Sequence, residues 1–388
     1  MTSYNFTINK LPMKRIIVLI LFLYPLTTWG QKITFATAVQ NTYDSAIVAV
    51  RDLWKSYLTN SKNGFDLPSP NFWNKYEIEN GYNDLVKVAS HMPTYLVGNI
   101  EVFDIKKVDN SYYRIRNIWS FGENNDKTII AIFSVFAKGT DSVYKLFNNF
   151  FILKSSLKHF ETNNIDFYYP VLHSFDSLKA TRANDFYSSI TLQYAYTDKR
   201  KLIYIIGNNL DEAFKLIGFD YFFGSDSSPL AGYSGMSKNF LILSGREDHI
   251  HEIVHSVFMS MFPNGHMLFQ EGIATYYGGN VARNLSYFIG ELKKLVKQNP
   301  NVDLSKIDEI DKILNDGKVN NFYFIGAIFI DYALKNGGPK KVLALLNYPV
   351  TNQYSFDDAI SAINKELGIE KNNLDAFIKN YVQNFKDN

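Results

Sequence analysis

The sequence predicts an α+β fold in two parts: an N-terminal helix with an antiparallel β-sheet, then a portion that combines a small sheet with helices. Along several aromatic-rich segments before residue 190, apolar and polar residues alternate, which indicates half-buried strands. Beyond residue 190, apolar residues recur mostly at helical spacing. The chain has 388 residues, 46% of them apolar, which is enough to fill the cores of two ordinary domains.

The first part, residues 31–190, begins with a helix at residues 36–59, where apolar residues follow helical spacing. Five segments then alternate and are predicted to pair as successive antiparallel strands. They are residues 100–105, 112–121, 128–136, 147–153 and 167–169. The Val-Asp-Asn-Ser segment at residues 108–111 is typical of a hairpin turn. Residues 172–188 return to helical periodicity and are predicted to lead into the second part.

The second part, residues 191–388, is predicted to contain two short buried strands and several helices. The strands are residues 202–206 and 240–244. The helices are residues 210–216, 250–261, 271–277, 285–296, 306–314, 322–334, 340–346 and 374–385. Residues 224–238 form a polar segment rich in glycine and serine, which we interpret as a loop at the lip of a cleft.

Residues 1–30 have the order of features found in a secretory signal peptide. Lys14 and Arg15 precede an apolar run at residues 16–26, and a Thr-Trp-Gly segment then offers a small residue for cleavage. Met13 is an alternative start, and a buried N-terminal helix is the alternative interpretation. We expect export to the periplasm or the extracellular space. No stable membrane anchor is expected after signal removal, since no later segment is long and apolar enough to span a bilayer.

The composition excludes several classes of function. Lys and Arg total 40 against 38 Asp and Glu, and no run of five or more like charges occurs, so a nucleic-acid partner is not expected. There is no cysteine, which excludes disulfides, thiol catalysis and zinc bound by cysteine. A metal ion in this chain must therefore be held by histidines and carboxylates.

The most informative motif is the His-Glu-Ile-Val-His segment at residues 251–255, followed by Glu271 sixteen residues after the second histidine. Residues four apart on a helix lie on one face, about 5–6 Å apart at Cβ, so His251 and His255 can bind one metal ion. Two histidines and a glutamate are a recurring ligand set for catalytic zinc, which keeps one position for water. These residues predict one Zn²⁺ ion held by His251, His255 and Glu271, with Glu252 as general base.

The motif, with Glu271 in a Glu-Gly-Ile-Ala segment, resembles the gluzincins, the zinc peptidases related to thermolysin and aminopeptidase N. Tyr323, with glycine three residues later and Gly-Gly-Pro at residues 337–339, resembles the aminopeptidase-like helix that carries a transition-state tyrosine. The likeness covers roughly residues 200–350. It implies a zincin-like peptidase domain and hydrolysis of peptide or protein substrates, with Tyr323 as a second catalytic residue beside Glu252.

Two positions depart from these relatives. Residues 235–239, Gly-Met-Ser-Lys-Asn, lack the glutamate with which the aminopeptidase branch binds a free amine. Thr275 stands where thermolysin-like enzymes have an aspartate that orients a histidine, so other groups must hold the ligands.

Alternative interpretations stay open. Without a metal, the two histidines are a structural pair, Glu271 is an acid favoured by a helix N-terminus, and Tyr323 is a core ring. Two other functions are an exported binding protein with a catalytically silent peptidase-like fold, and a zinc hydrolase that acts on a non-peptide substrate.

Overall fold

The computed structural model describes residues 32–60, 69–79, 98–109, 111–122, 126–140, 143–198, 200–223, 232–233, 239–280, 283–306 and 321–386. The predicted signal peptide lies outside these ranges. The chain separates into two compact units. The first comprises Met1–Phe72, Met92–Leu146 and Phe219–Asp226, and the second Trp73–His91, Phe147–Gly218 and Ser227–Asn388. Among the described residues, no helix has the length and apolar character that crossing a membrane requires.

Helices and sheets are mixed, as the α+β prediction states. The strands are β1 Lys32–Phe35, β2 Asn99–Lys107, β3 Tyr112–Phe121, β4 Thr128–Thr140, β5 Val143–Phe147, β6 Lys158–Glu161, β7 Ile165–Tyr169, β8 Leu202–Gly207, β9 Phe219–Phe222, β10 Gly232–Tyr233 and β11 Phe240–Ser244. The α-helices are α1 Thr37–Gln40, α2 Ser45–Leu58, α3 Lys75–Glu79, α4 Asn149–Leu153, α5 Ser177–Gln193, α6 Leu210–Leu216, α7 Ile250–Met261, α8 Met267–Gly278, α9 Leu285–Gln298, α10 Asn321–Leu346, α11 Phe356–Leu367 and α12 Leu374–Asn384.

The first unit is built on a sheet of order β1-β2-β3-β4-β5, with β9 paired to β4. Strands β2, β3 and β4 pair antiparallel, as predicted. Strand β1 instead pairs parallel with β2, so the sheet is not purely antiparallel. At the predicted turn between β2 and β3, the Asp109 carboxylate accepts a hydrogen bond from the Tyr112 backbone N–H at 2.8 Å, and residue 110 lies outside the described residues.

The helix predicted at residues 36–59 forms as two helices, because Asp44 starts a new one. Its carboxylate accepts hydrogen bonds from the backbone N–H groups of Ala46 and Ile47, which caps α2. Trp54 of α2 is buried and donates from Nε1 to Oδ1 of Asn117 on β3 at 2.8 Å. This buried hydrogen bond ties the helix to the sheet.

The second unit contains a sheet of order β10-β11-β8-β7-β6. Strands β11, β8 and β7 run parallel, whereas the outer strands β10 and β6 are antiparallel to their neighbours. Every residue of β8 and β11 is buried, which explains why both read as continuous apolar runs. The strands predicted at residues 202–206 and 240–244 are therefore confirmed, and they are neighbours.

The predicted division at residue 190 does not coincide with the two units. Residues 167–169, predicted as a strand of the first sheet, lie in β7, which pairs parallel with β8. Residue 190 falls inside α5, and all residues from Phe147 to Gly218 belong to the second unit. Alternation identifies a strand but does not specify which sheet it joins.

Two local predictions also need correction. Residues 147–153 are not one strand, since β5 ends at Phe147 and the helix α4 follows. The helix predicted at residues 172–188 begins only at Ser177, because the Asp176 side chain caps it by accepting from the N–H groups of the first turn.

The predicted helices at residues 322–334 and 340–346 form one element, α10, with a kink at Gly338, whose φ is 64°. A glycine adopts this left-handed conformation without the strain that a Cβ brings. The helix predicted at residues 306–314 falls outside the described residues apart from its first residue. Of the loop predicted at residues 224–238, only β10 is described.

Helices α7, α8 and α10 share one apolar core. Its fully buried members on these helices include Val254, Val257, Phe258, Phe269, Ile273, Phe324 and Ile328. Helices α8 and α10 approach each other closely at two glycines, where a Cβ on Gly272 would lie 2.5 Å from the carbonyl carbon of Gly326. This close approach fixes the spacing between the helices that carry Glu271 and Tyr323.

Candidate metal centre

Helix α7 carries the His-Glu-x-x-His segment in its first two turns. Ile253, Val254 and Val257 are fully buried on this helix, so its apolar side anchors it in the core. His251 and His255 then project together from the other side, one turn apart, as the sequence predicts.

The ligand atoms of His251, His255 and Glu271 converge. The two Nε2 atoms of the histidines are 3.1 Å apart, and each lies 3.4 Å from Oε2 of Glu271. Four bonds of about 2.05 Å around a tetrahedral zinc ion would separate ligand atoms by about 3.3 Å. The observed spacing therefore fits one zinc ion at the centre of the three atoms.

The hydrogen bonding also fits a cation. Oε2 of Glu271 is buried and accepts no hydrogen bond from any described residue. An orphaned buried oxygen is costly in a folded protein unless a missing partner satisfies it. Nδ1 of His251 lies 2.8 Å from the carbonyl oxygen of Gly279 and must donate to it, which leaves the lone pair on Nε2 free for a metal ion.

This carbonyl orients His251 only, since Nδ1 of His255 is buried without a partner among the described residues. Thr275, at the position of the aspartate in thermolysin-like enzymes, has a buried hydroxyl with no partner among the described residues. Gly279 instead follows the end of α8 with φ 70°, a conformation that favours glycine. Its neighbour Gly278 packs against the ligand backbone, since a Cβ there would lie 2.3 Å from the nitrogen of His251.

The three groups strongly polarise one another. Burial alone would raise the pKa of Glu271, but the facing imidazoles of His255 and His251 outweigh it and hold that pKa well below its usual range. The same two histidines outweigh burial at Glu252 and lower its pKa as well. Both carboxylates are therefore ionised at neutral pH, which favours a divalent cation between them and the imidazoles.

Glu252 lies beside the edge strand β10. A Cβ on Gly232 would be 2.4 Å from Cγ and 3.0 Å from Oε1 of Glu252, so only glycine leaves room for this carboxylate. The structure thus brings Glu252 close to the three predicted ligands on one side and to strand β10 on the other.

Tyr323, on the first turn of α10, also reaches this site. Its ring centroid lies 6.4 Å from that of His251, with the ring planes inclined by 26°. Burial, and after it the charges of Glu271 and Glu252, raises the pKa of the Tyr323 hydroxyl well above its usual value. The hydroxyl therefore remains a hydrogen-bond donor over the physiological pH range.

A second histidine–carboxylate pair lies in the same unit. His173 contacts Oε1 of Glu247 through Nε2 at 3.1 Å and Oδ1 of Asn208 through Nδ1 at 3.2 Å. The Asp176 backbone N–H also donates to Oε1 of Glu247, at 3.0 Å. Glu247 thus links the turn that precedes α7 to the turn that precedes α5.

The structure brings together the three residues predicted as ligands, with Glu252 and Tyr323 beside them, and adds several residues that the sequence does not mark. Gly232 and Gly278 leave room for Glu252 and His251 because they have no side chain, and Gly279 contacts His251 through its backbone carbonyl. Glu247 pairs with His173, which is far away in the sequence.

Comparison with models of known protein families and with curated proteins finds no match to this chain.

Proposed function

We propose that this chain is an exported, zinc-dependent metallopeptidase of the gluzincin type, with a zincin-like catalytic domain in its second unit. One observation carries the proposal: the ligand atoms of His251, His255 and Glu271 lie 3.1–3.4 Å from one another. A zinc ion bound there would act as a Lewis acid that activates water and polarises a carbonyl group. The predicted signal peptide is the ground for export.

The roles of the chain's own residues follow from their positions. Glu252, ionised and beside the ligands, accepts a proton from the attacking water and later delivers it to the leaving amine. Tyr323 stays protonated and can donate a hydrogen bond to the oxygen on which negative charge develops. The geometry that supports this role is its ring's stacking distance of 6.4 Å from His251.

The position of β10 favours a peptide substrate. This strand is at the edge of its sheet among the described strands, and its Gly232 packs against Glu252. An extended peptide can add to such an edge through backbone hydrogen bonds. A peptide bound there would run past the general base.

The decisive test replaces Glu252 by Gln, which keeps the shape of the side chain but removes its basicity. We expect Glu252→Gln to retain about one zinc per chain, measured by elemental analysis, and to lose at least about 1,000-fold in hydrolysis of a mixed peptide library. Glu291→Gln is the matched control, because Glu291 is partly exposed on α9 and pairs with Lys294 at 2.7 Å. It should retain full activity.

The outcomes separate the alternative functions. A wild-type chain that binds zinc and peptides but releases no fragments would indicate a binding protein. Hydrolysis confined to esters or other non-peptide substrates would indicate a different zinc hydrolase. Undiminished peptide hydrolysis by Glu252→Gln would contradict the assigned general base.

A further inference from the structure

The end of helix α8 lies against the start of α7 and contacts the ligand His251 there. The carbonyl oxygen of Gly279 accepts from Nδ1 of His251 at 2.8 Å. The backbone N–H of Gly279 donates to the carbonyl oxygen of Thr275, also at 2.8 Å, which joins Gly279 to the last turn of α8. The orientation of the His251 ring therefore depends on where the end of α8 lies.

Tyr277, two residues before this carbonyl, joins the end of α8 to α5. Its hydroxyl oxygen lies 3.0 Å from the hydroxyl oxygen of Tyr194, the residue that follows α5, so the two groups share a hydrogen bond. The ring of Phe186 on α5 meets the Tyr277 ring edge to face, with the centroids 5.8 Å apart. Tyr277 is thus tied to α5 through its hydroxyl and through its ring.

Tyr194 is itself held in place. It is 2% exposed, and its ring meets that of Phe258 on α7 edge to face, with the centroids 4.8 Å apart. Its backbone N–H donates to the carbonyl oxygen of Ile190 at 3.1 Å, which continues the hydrogen bonding of α5. The chain then turns at Ala195, whose φ of 53° is left-handed. Tyr194 therefore contacts both α7 and α8 from a fixed position at the end of α5.

We propose that Tyr277 is a positioning residue of the metal site, and that its hydrogen bond to Tyr194 holds the Gly279 carbonyl where it orients His251. The inference rests on the proposed function, since it requires zinc between the three predicted ligands. A histidine whose ring is already oriented loses less conformational freedom when it binds a metal ion, so it binds that ion more tightly.

The test removes the two hydroxyl groups one at a time and then together. Tyr277→Phe and Tyr194→Phe keep both rings, and we expect each to lower zinc affinity about tenfold, at the lower end of what ligand-orienting groups contribute. The double variant should lose no more affinity than either single variant, because the same hydrogen bond is broken in all three. Competition with a chromophoric chelator measures the affinity.

Urea unfolding of the zinc-free chains separates positioning from a general loss of stability. Tyr277→Phe removes the hydrogen-bond partner of the buried Tyr194 hydroxyl, whereas the double variant removes both groups. We therefore expect the double variant to be more stable than Tyr277→Phe and to bind zinc equally weakly. Zinc affinity that recovers together with stability in the double variant would show that the hydroxyl pair is only structural.

Tyr381→Phe is the matched control, because it also removes a tyrosine hydroxyl that bonds between helices, here to the buried Asp331 on α10. It should lower stability without changing zinc affinity. A direct signal comes from NMR of the zinc-loaded chain with isotope-labelled histidine. The Nδ1–H proton of His251 should exchange with water faster in Tyr277→Phe than in the wild type or in Tyr381→Phe, because its hydrogen bond to Gly279 is weakened.

Two failures are distinguishable. If the wild type takes up no zinc, the proposed function is wrong and this inference falls with it. If the wild type binds zinc but Tyr277→Phe keeps the same zinc affinity and the same exchange of the His251 proton, only the role of Tyr277 is overturned.

Discussion

The second unit contains two histidine–carboxylate clusters that have the same kinds of side chains but differ in their hydrogen bonding. Around His173, both ring nitrogens have a partner, and the side chains of His173 and Glu247 are only 3% and 2% exposed. Around Glu271, by contrast, the buried Oε2 accepts no hydrogen bond from the described residues, and two imidazole nitrogens face it.

The difference indicates how a structural pair can be distinguished from a candidate metal site. A cluster whose donors and acceptors all pair is complete and needs nothing from solution. A cluster of lone pairs that point at one another is costly until a cation enters it. Both clusters combine histidine with glutamate, so the pairing of their hydrogen-bonding groups, and not the residue types, makes the distinction.

The largest expected effect separates the clusters by metal binding. Glu271→Gln removes a charged ligand, and we expect zinc affinity to fall by more than the 10- to 100-fold that outer residues typically contribute. Glu247→Gln breaks a buried pair and should lower the free energy of unfolding by about 3–5 kcal/mol, yet leave zinc affinity unchanged. Zinc titration measures the affinity of both variants, and urea unfolding measures their free energy of unfolding. An equal loss of zinc affinity in the two variants would contradict the assignment of only one cluster to the metal.

A smaller effect concerns the backbone support of the ligand His251. Gly278→Ala places a Cβ 2.3 Å from its backbone nitrogen, so we expect the ligand to shift and zinc affinity to fall by about 10- to 100-fold. Gly290→Ala is the matched control, because a Cβ there meets nothing within 4 Å. On helix α9 it should stabilise the protein by up to about 1 kcal/mol without affecting zinc. Unchanged zinc affinity in Gly278→Ala would show that this close packing does not position His251.

The smallest expected effect is a pH dependence of the stabilisation that the pair of His173 and Glu247 provides. The hydrogen bond to Glu247 outweighs burial and raises the pKa of His173 above its usual value. A raised folded-state pKa means that the stabilisation is fully present below the unfolded pKa of about 6.5 and is lost as pH rises through the folded pKa.

The difference in unfolding free energy between wild type and His173→Gln isolates this contribution, because other titrating groups cancel. We expect that difference to shrink steadily in urea unfolding curves taken from pH 6 upward. A difference that stays constant with pH would mean that His173 does not ionise as a partner of Glu247.

The sequence predicts secondary structure best where the apolar pattern lies within one continuous segment. Helix α7 and strand β11 occupy the predicted ranges, 250–261 and 240–244, because each has a clear apolar pattern over its length. The spacing of the two histidines is equally local, since His251 and His255 share one helix. Glu271 could be proposed only because its segment resembles a known motif.

What the sequence does not reveal depends on distant or backbone partners. The strand at residues 165–169 joins β8 rather than the first sheet, a pairing that alternation does not encode. The carbonyl oxygen of Gly279 orients His251, but every residue has a carbonyl, so no side chain marks this role.

The most direct test of the metal site is a crystal structure of the zinc-loaded chain, with anomalous diffraction measured on both sides of the zinc absorption edge. We expect one zinc peak within about 2.0–2.2 Å of Nε2 of His251, Nε2 of His255 and a carboxylate oxygen of Glu271. No peak should occur beside His173 and Glu247. The absence of zinc between the three predicted ligands, or a zinc ion held elsewhere, would contradict the proposed centre.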